Sequence, residues 1–129
     1  MKAIDTNVLV RFLVRDDARQ AQGARRLIEG GPVWLTKTVL LETEWVLRYA
    51  YGLDRDAVAE ALIKMCGLPQ VVVEDPEAVV QALAWLGEGL DFADALHLAS
   101  SQAAECFCTF DRRLIARAAK VGQVRVVGV

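Results

Sequence analysis

The sequence has few of the residues on which zinc sites and nucleophilic sites usually depend. It contains one histidine, His97, and three cysteines, and it lacks both a C-x-x-C and a G-x-S-x-G motif. A zinc site is therefore not expected, and the chain offers little for a serine triad. Cys106 and Cys108 lie two residues apart, on one face of a predicted strand. We expect these two cysteines and Cys66 to fill apolar structure.

Long apolar runs are also absent, so no segment is long enough to cross a membrane. The start of the chain lacks the extended apolar region of a signal peptide. Apolar residues nevertheless make up 54% of the 129 residues, which is too many for a disordered chain and enough for one core. We expect a soluble, cytoplasmic protein with a single domain over residues 1–129 and no membrane partner.

Charge of one sign does not dominate, because the formal net charge is −2. The molecule as a whole is therefore not a strongly cationic nucleic-acid binder. Most of its basic residues are arginines, several of them close together in the sequence. Such clusters are typical of an exposed helix surface, or of a local rim that binds phosphate. Arg11 and Arg112 are the candidates for phosphate contacts.

Short apolar runs alternate along the chain with segments of helical periodicity. The predicted strands are KAI, VWL, VVV, CFCTF and VRVV. The predicted helices are residues 7–15, DDARQAQGARRLIEG, residues 36–51, 54–66 and 76–86, DFADALHLASSQAAE and DRRLIARAAK. Because most of the strands are continuous apolar runs, they are typical of a parallel sheet that is covered on both faces. We predict one α/β domain without linkers or repeats.

Acidic residues follow two of the predicted strands directly. Asp5 follows the first strand and Asp111 follows the fourth. The carboxyl ends of parallel strands share one edge of the sheet, where ligands bind. Asp91 and Asp94 are neighbours on a helix that would begin at the same edge. Each acid alone suits a helix start, but together they indicate a convergent acidic set.

Glu42 has no such capping role, because it lies inside a mostly apolar helical segment. We expect Glu44 to face outward and Glu42 to lie on a largely apolar face. A carboxylate in that position needs a partner, either a metal ion or an arginine.

Carboxylates that converge without basic partners repel one another, and a hard divalent cation removes this repulsion. Mg²⁺ and Mn²⁺ take oxygen ligands and usually retain several waters. Such ions activate water and can hold a phosphodiester during displacement. This chemistry needs neither histidine nor a serine triad.

Four motifs together resemble the PIN-domain nucleases, and more narrowly the VapC-type toxins of toxin–antitoxin modules. They are D-T-N-V-L, E-x-x-W-V-L-R, D-F-A-D-A-L-H and T-F-D-R-R-L. They occur in the expected order and span nearly the whole chain. The resemblance implies an α/β/α three-layer sandwich around a mainly parallel sheet of about five strands.

The resemblance also implies a metal-dependent endoribonuclease that cleaves single-stranded or looped RNA. It implies a homodimer inhibited by a cognate antitoxin. The implied ligands of Mg²⁺ or Mn²⁺ are Asp5, Glu42, Asp94 and Asp111, with Asp91 as an additional acid. Asn7 and Thr109 match positions that support the carboxylates through hydrogen bonds.

Some residues have a second interpretation from the sequence itself. Thr6 and Asn7 would expose backbone N–H groups at a helix start, suited to a phosphate or to holding Asp5. The three tryptophans could stack RNA bases, but core or dimer contacts are favoured for Trp34, Trp45 and Trp85.

Two other classes of function fit parts of the sequence. A receiver-like phosphoryl-transfer domain or a phosphatase could use Asp5. However, a receiver needs paired acids and a late lysine that are missing, and Asn7 stands where the phosphatase motif has a second aspartate. A non-catalytic interaction module, with the acids serving as helix caps, is the third possibility.

Overall fold

The computed structural model describes residues 1–129 and contains seven helices and five strands. In chain order they are β1 (Lys2–Ala3), α1 (Thr6–Val14), α2 (Ala18–Glu29), β2 (Val33–Leu35), α3 (Lys37–Tyr49), α4 (Arg55–Cys66), β3 (Val71–Val73), α5 (Pro76–Gly87), α6 (Phe92–Ala99), β4 (Phe107–Thr109), α7 (Arg112–Val121) and β5 (Val126–Gly128).

The chain divides into two compact units, residues 1–76 and residues 77–129. We call them unit 1 and unit 2. Each unit has its own parallel sheet, with β1, β2 and β3 in unit 1 and β4 and β5 in unit 2.

The sheet of unit 1 has the strand order β1-β2-β3, so the VWL strand is central. Val33 pairs with Lys2 on one side and with Val71 on the other. Val33 and Leu35 are fully buried, as continuous apolar parallel strands require. The helices of unit 1 complete its core with Leu9, Ile28, Leu40, Leu47, Val58 and Leu62.

The start of α3 is fixed to the edge of this sheet by a set of short contacts. Thr36 follows β2, and its Oγ1 accepts a hydrogen bond from Val39 N at 3.2 Å. Glu74 follows β3; its N donates to Leu35 O at 2.9 Å, and its Oε1 accepts from Lys37 N at 2.9 Å. These bonds satisfy donors that a helix start leaves without acceptors. They therefore set where α3, which carries Glu42, leaves the sheet.

Unit 2 pairs β4 with β5, and its helices bury the larger side chains. Trp85 of α5, Phe92 of α6 and Leu98 of α6 are almost completely buried. The last helix, α7, is capped after Val121 by Gly122, whose φ of 70° is a left-handed conformation that glycine adopts without strain.

The sequence predicted the α/β class, the five strands and their parallel pairing, and the structure confirms all three. Hydrogen bonds join the strands into two sheets of three and two, whereas the sequence predicted one sheet. The predicted helix DFADALHLASSQAAE is too long, because α6 ends at Ala99. Beyond its end the backbone forms turns, with Ser101 N donating to Leu98 O at 3.0 Å and Ala104 N donating to Ser101 O at 3.0 Å, while Ser101 Oγ donates to His97 O at 2.6 Å.

The expectation that the cysteines fill apolar structure is wrong for Cys108, which is exposed. Its Sγ lies 3.7 Å from that of the half-buried Cys106, because side chains two residues apart on a strand share a face. Cys66 is half-buried, and this burial raises the pKa of its thiol to about 11. All three cysteines are free.

None of the helices combines the length and the apolar character needed to cross a membrane.

Candidate functional site

Asp5 lies between the end of β1 and the start of α1, and it caps that helix. Its backbone is extended, and its Oδ1 accepts a hydrogen bond from Val8 N at 3.0 Å. The structure therefore confirms that Asp5 caps a helix, as the sequence suggested. The cap uses one carboxylate oxygen of an exposed residue, so Oδ2 remains available to a ligand.

An open cleft of about 440 Å³ lies beside Asp5 within unit 1. Asp5 and Glu42 both line it, so the structure brings these two predicted acids to one surface. The other lining residues are Thr6, Asn7, Val10, Arg11, Val46, Ala50 and Tyr51.

The predicted orientations of Glu42 and Glu44 are wrong. Glu44 is buried, and its Oε2 accepts a hydrogen bond from Arg48 Nη1 at 3.2 Å. Glu42 is exposed and faces the cleft. The reason is helical phase, since Leu40, Glu44 and Leu47 form one buried stripe of α3. The arginine partner expected for an acid on an apolar face thus belongs to Glu44.

Arg11 also lines the cleft, and several neighbours hold its guanidinium group. Its Nε donates to Gln20 Oε1 at 2.6 Å, and its Nη1 donates to Asp16 Oδ1 at 2.7 Å and to Tyr51 Oη at 3.0 Å. The hydrogen bond to Asp16 raises the pKa of Arg11. The hydroxyl of Tyr51, which donates to Asp16 Oδ2 at 2.8 Å, lowers the pKa of Asp16. Both charges of the pair are therefore stabilised.

Tyr51 was missed at the sequence level, where it was only the last residue of a predicted helix. In the structure α3 ends at Tyr49, and Tyr51 lies beyond it with its hydroxyl directed at Arg11 and Asp16. The sequence did contain one indication of this role. Tyr51 stands just before Gly52, a glycine with positive φ, and the hydroxyl of a partly buried tyrosine usually finds a hydrogen-bond partner.

In unit 2, Asp91 and Asp94 lie together at the start of α6. Asp91 caps the helix, and its Oδ2 accepts a hydrogen bond from Asp94 N at 3.3 Å. Asp94 is half-buried in the first turn. Burial raises the pKa of Asp94, and repulsion from Asp91 and Asp111 raises it further. His97 and Arg117 act weakly in the opposite direction.

Asp111 caps α7 in the same way as Asp5 caps α1. Its Oδ1 accepts hydrogen bonds from Arg113 N at 2.9 Å and Leu114 N at 3.2 Å. Thr109 Oγ1 accepts from the backbone N of Asp111 at 3.0 Å, so Thr109 fixes the segment that carries this acid. Again only one carboxylate oxygen is used.

The remaining predicted site residues have mixed environments. Thr6 and Asn7 begin α1 and line the cleft, but neither side chain donates a hydrogen bond to Asp5. Arg112 is the exposed first residue of α7.

The three tryptophans also differ from one another. Trp85 is buried in the core and cannot stack on RNA, whereas Trp34 is half-buried on β2. Trp45 is 58% exposed, and its ring centroid lies 5.3 Å from that of Tyr49.

The chemistry of these acids fits a hard divalent cation. Asp5 and Asp111 each keep one carboxylate oxygen outside their caps, and oxygen ligands are those that Mg²⁺ and Mn²⁺ prefer. Burial is the main cause of the raised pKa of Asp94, and repulsion from Asp91 and Asp111 adds to it; a bound cation would relieve that repulsion. Neither unit by itself brings together three or more side chains that could hold a metal ion.

Comparison with known proteins places these residues in a family. The model of the PIN domain matches residues 2–121, which run through both units. The chain therefore belongs to the PIN-domain family, and the resemblance of its motifs to this family is confirmed.

Among solved structures, the chain is similar to the crystal structure of Mycobacterium tuberculosis VapC20, described as a sarcin–ricin-loop-cleaving toxin. The two share 27% sequence identity over 98% of each chain, with a TM-score of 0.44. No curated protein matches the chain.

Proposed function

We propose that this PIN-domain protein is a metal-dependent endoribonuclease that hydrolyses RNA phosphodiester bonds. The main supporting observation is the open cleft of unit 1, where Asp5 and Glu42 present carboxylates to solvent without a cationic partner. Free carboxylates in a cleft suit a cation that in turn meets a phosphodiester.

The acids proposed to serve this reaction are Asp5, Glu42, Asp94 and Asp111, with Asp91 as an additional acid. Their oxygens would hold Mg²⁺ or Mn²⁺. When bound, such an ion supplies Lewis acidity toward the phosphodiester and lowers the pKa of a coordinated water. Asp5 and Asp111 are held in place by the backbone groups that they cap, which limits the motion of their free oxygens.

Other residues would bind and orient the RNA. Thr6 and Asn7 provide N–H groups of the first turn of α1, where a helix attracts phosphate. Arg11 and Arg112 are the proposed arginine contacts to the RNA backbone, and Thr109 holds the segment of Asp111. Asn7 lines the cleft and could reach a ligand there, although it does not bond to Asp5.

The biological role proposed is that of the toxin in a type II toxin–antitoxin pair. Its partners would be an RNA substrate, a cognate antitoxin protein and a second copy of the chain. We propose a cytoplasmic location and a single functional domain over residues 1–129. Trp45, exposed on α3, is a candidate for a dimer contact.

The alternative of a phosphoryl-transfer or phosphatase domain has weaker support. It requires an aspartyl-phosphate at Asp5, but this residue uses one oxygen to cap α1, and the second acid of that motif is Asn7. Treatment with acetyl phosphate followed by intact mass measurement should give no stable adduct.

The direct test of the proposed function is cleavage of end-labelled RNA by the purified chain. We expect endonucleolytic products with Mg²⁺ or Mn²⁺ and none with excess EDTA. Mapping the RNA ends would then identify the target. Cleavage that is unchanged in EDTA would rule out the metal-dependent reaction.

A further inference from the structure

Arg11 is held by hydrogen bonds on two of its three guanidinium nitrogens. Its Nε binds Gln20, and both hydrogens of Nη1 are used, one by Asp16 and one by Tyr51. The Tyr51 hydroxyl then donates to the other oxygen of Asp16 at 2.8 Å and closes a ring of three side chains. Because three donors of the guanidinium are fixed, its orientation is fixed as well.

The two hydrogens of Nη2 have no acceptor in the protein. Arg11 and Tyr51 both line the cleft that contains Asp5 and Glu42, and the side chain of Arg11 is 25% exposed. An oriented guanidinium group that keeps spare donors at a cleft is suited to the oxygens of a phosphate.

The same ring of side chains also keeps Arg11 from neutralising the acids of the cleft. Arg11 forms its ion pair with Asp16, and neither Asp5 nor Glu42 forms an ion pair with it. A flexible arginine in this cleft would be attracted to those two carboxylates and would compete with a cation there. Asp16 and Tyr51 therefore separate the cationic part of the cleft from its acidic part.

We infer that Arg11, held by Tyr51, Asp16 and Gln20, is a preset contact for a backbone phosphate of the RNA beside the cleaved bond. Tyr51 acts through Arg11 and is its positioning residue. This inference rests on the proposed ribonuclease function and adds Tyr51, Asp16 and Gln20 as the residues that orient the Arg11 contact. The competing explanation is that the ring only ties α1, α2 and the segment after α3 together.

The test measures binding of a fluorescent single-stranded RNA oligonucleotide to the full chain in EDTA, where cleavage does not interfere. Tyr51→Phe keeps the aromatic ring and removes both hydrogen bonds of the hydroxyl. We expect it to weaken RNA binding about three- to tenfold, the effect of one or two lost hydrogen bonds. The matched control is Tyr49→Phe, because Tyr49 is 63% exposed and its hydroxyl has no hydrogen-bond partner. We expect that control to bind RNA as the unchanged chain does.

Arg11→Gln provides a second measurement through its salt dependence. The logarithm of the association constant for RNA falls linearly with the logarithm of the salt concentration. Losing one phosphate contact to single-stranded RNA should make this slope less steep by about 0.7. Arg19→Gln removes the same charge from the exposed face of α2 and should leave the slope unchanged. In cleavage assays, Tyr51→Phe should raise KM more than it lowers kcat. This is expected when a contact is present both in the enzyme–substrate complex and in the transition state.

Two outcomes would overturn the inference while leaving the proposed function intact. One is that Tyr51→Phe lowers the melting temperature but binds RNA like Tyr49→Phe, which would make the ring purely structural. The other is that Arg11→Gln and Arg19→Gln show the same salt slope. If the unchanged chain fails to bind and cleave RNA with either metal, the proposed function fails, and the inference fails with it.

Discussion

Glu42 and Glu44 are two residues apart on one helix, yet one faces solvent and the other is buried. Glu44 shares a buried stripe with Leu40 and Leu47, and Arg48 compensates its charge. The sequence contains this stripe as a spacing of four and then three residues. The sequence alone does not identify the buried stripe, because apolar residues flank both glutamates and more than one helical phase fits these apolar residues. Packing against the rest of unit 1 decides between the phases.

Thr43, which lies between these two glutamates, is fully buried, and its Oγ1 has no hydrogen-bond partner. Replacing it by valine removes a desolvated hydroxyl and keeps a branched side chain of similar size. Thr43→Val should therefore raise the free energy of unfolding by about 1 kcal/mol in chemical denaturation. Thr38→Val, at an exposed position of the same helix where Oγ1 shares a hydrogen bond with Thr36 Oγ1 at 3.1 Å, should not raise it. A loss of stability in Thr43→Val would mean that the hydroxyl has a partner after all.

Asp94 should reduce stability when it is ionised in the metal-free protein. Burial first, and then Asp91 and Asp111, raise its pKa above that of the unfolded chain, against the opposing effect of His97 and Arg117. The folded state then binds more protons than the unfolded state, so stability falls as the pH rises from the ordinary aspartate pKa through the raised one.

Asp94→Asn should remove this pH dependence and raise the melting temperature in EDTA at neutral pH. Asp56→Asn, at an exposed acid in the first turn of α4, is the control and should not raise it. A lower melting temperature for Asp94→Asn would show that the acid is a structural residue rather than one of a repelling group.

At the scale of elements, strands and helix starts were predictable because their signals are local. The VWL and VVV runs are continuous apolar strands, and Asp17, Asp54 and Asp111 each cap the helix that follows. The end of α6 was not predictable, because it depends on turn bonds of the folded backbone, such as those from Ser101 N to Leu98 O and from Ala104 N to Ser101 O. The segment after it has no strong helix-stop residue, so the pattern alone extended the helix too far.

Asp111 combines a structural and a proposed catalytic role, and these roles can be separated. Asparagine caps a helix about as well as aspartate but has no charge, whereas alanine cannot cap. Asp111→Asn should therefore keep the stability of the unchanged chain and lose RNA cleavage.

Asp111→Ala should lose cleavage and about 1 kcal/mol of stability, as measured by denaturant unfolding. If Asp111→Asn retained full cleavage, this residue would be a helix cap and nothing more.

At the scale of the molecule, the PIN-domain match runs through both units, and the proposed acids are distributed between them. Asp5 and Glu42 belong to unit 1, and Asp94 and Asp111 belong to unit 2. The motifs were enough to predict the family. The residues that hold Arg11 were not predictable, because Asp16, Gln20 and Tyr51 meet only in the folded unit.

Under the proposed function, Asp5 and Asp94 are each needed for metal-dependent cleavage of RNA. The most direct measurement compares RNA cleavage by the unchanged chain, Asp5→Asn and Asp94→Asn at saturating Mn²⁺, with circular dichroism as the control for folding. We predict that either single substitution abolishes cleavage while the helical signal is unchanged. Full Mn²⁺-dependent cleavage by either folded variant would contradict this prediction.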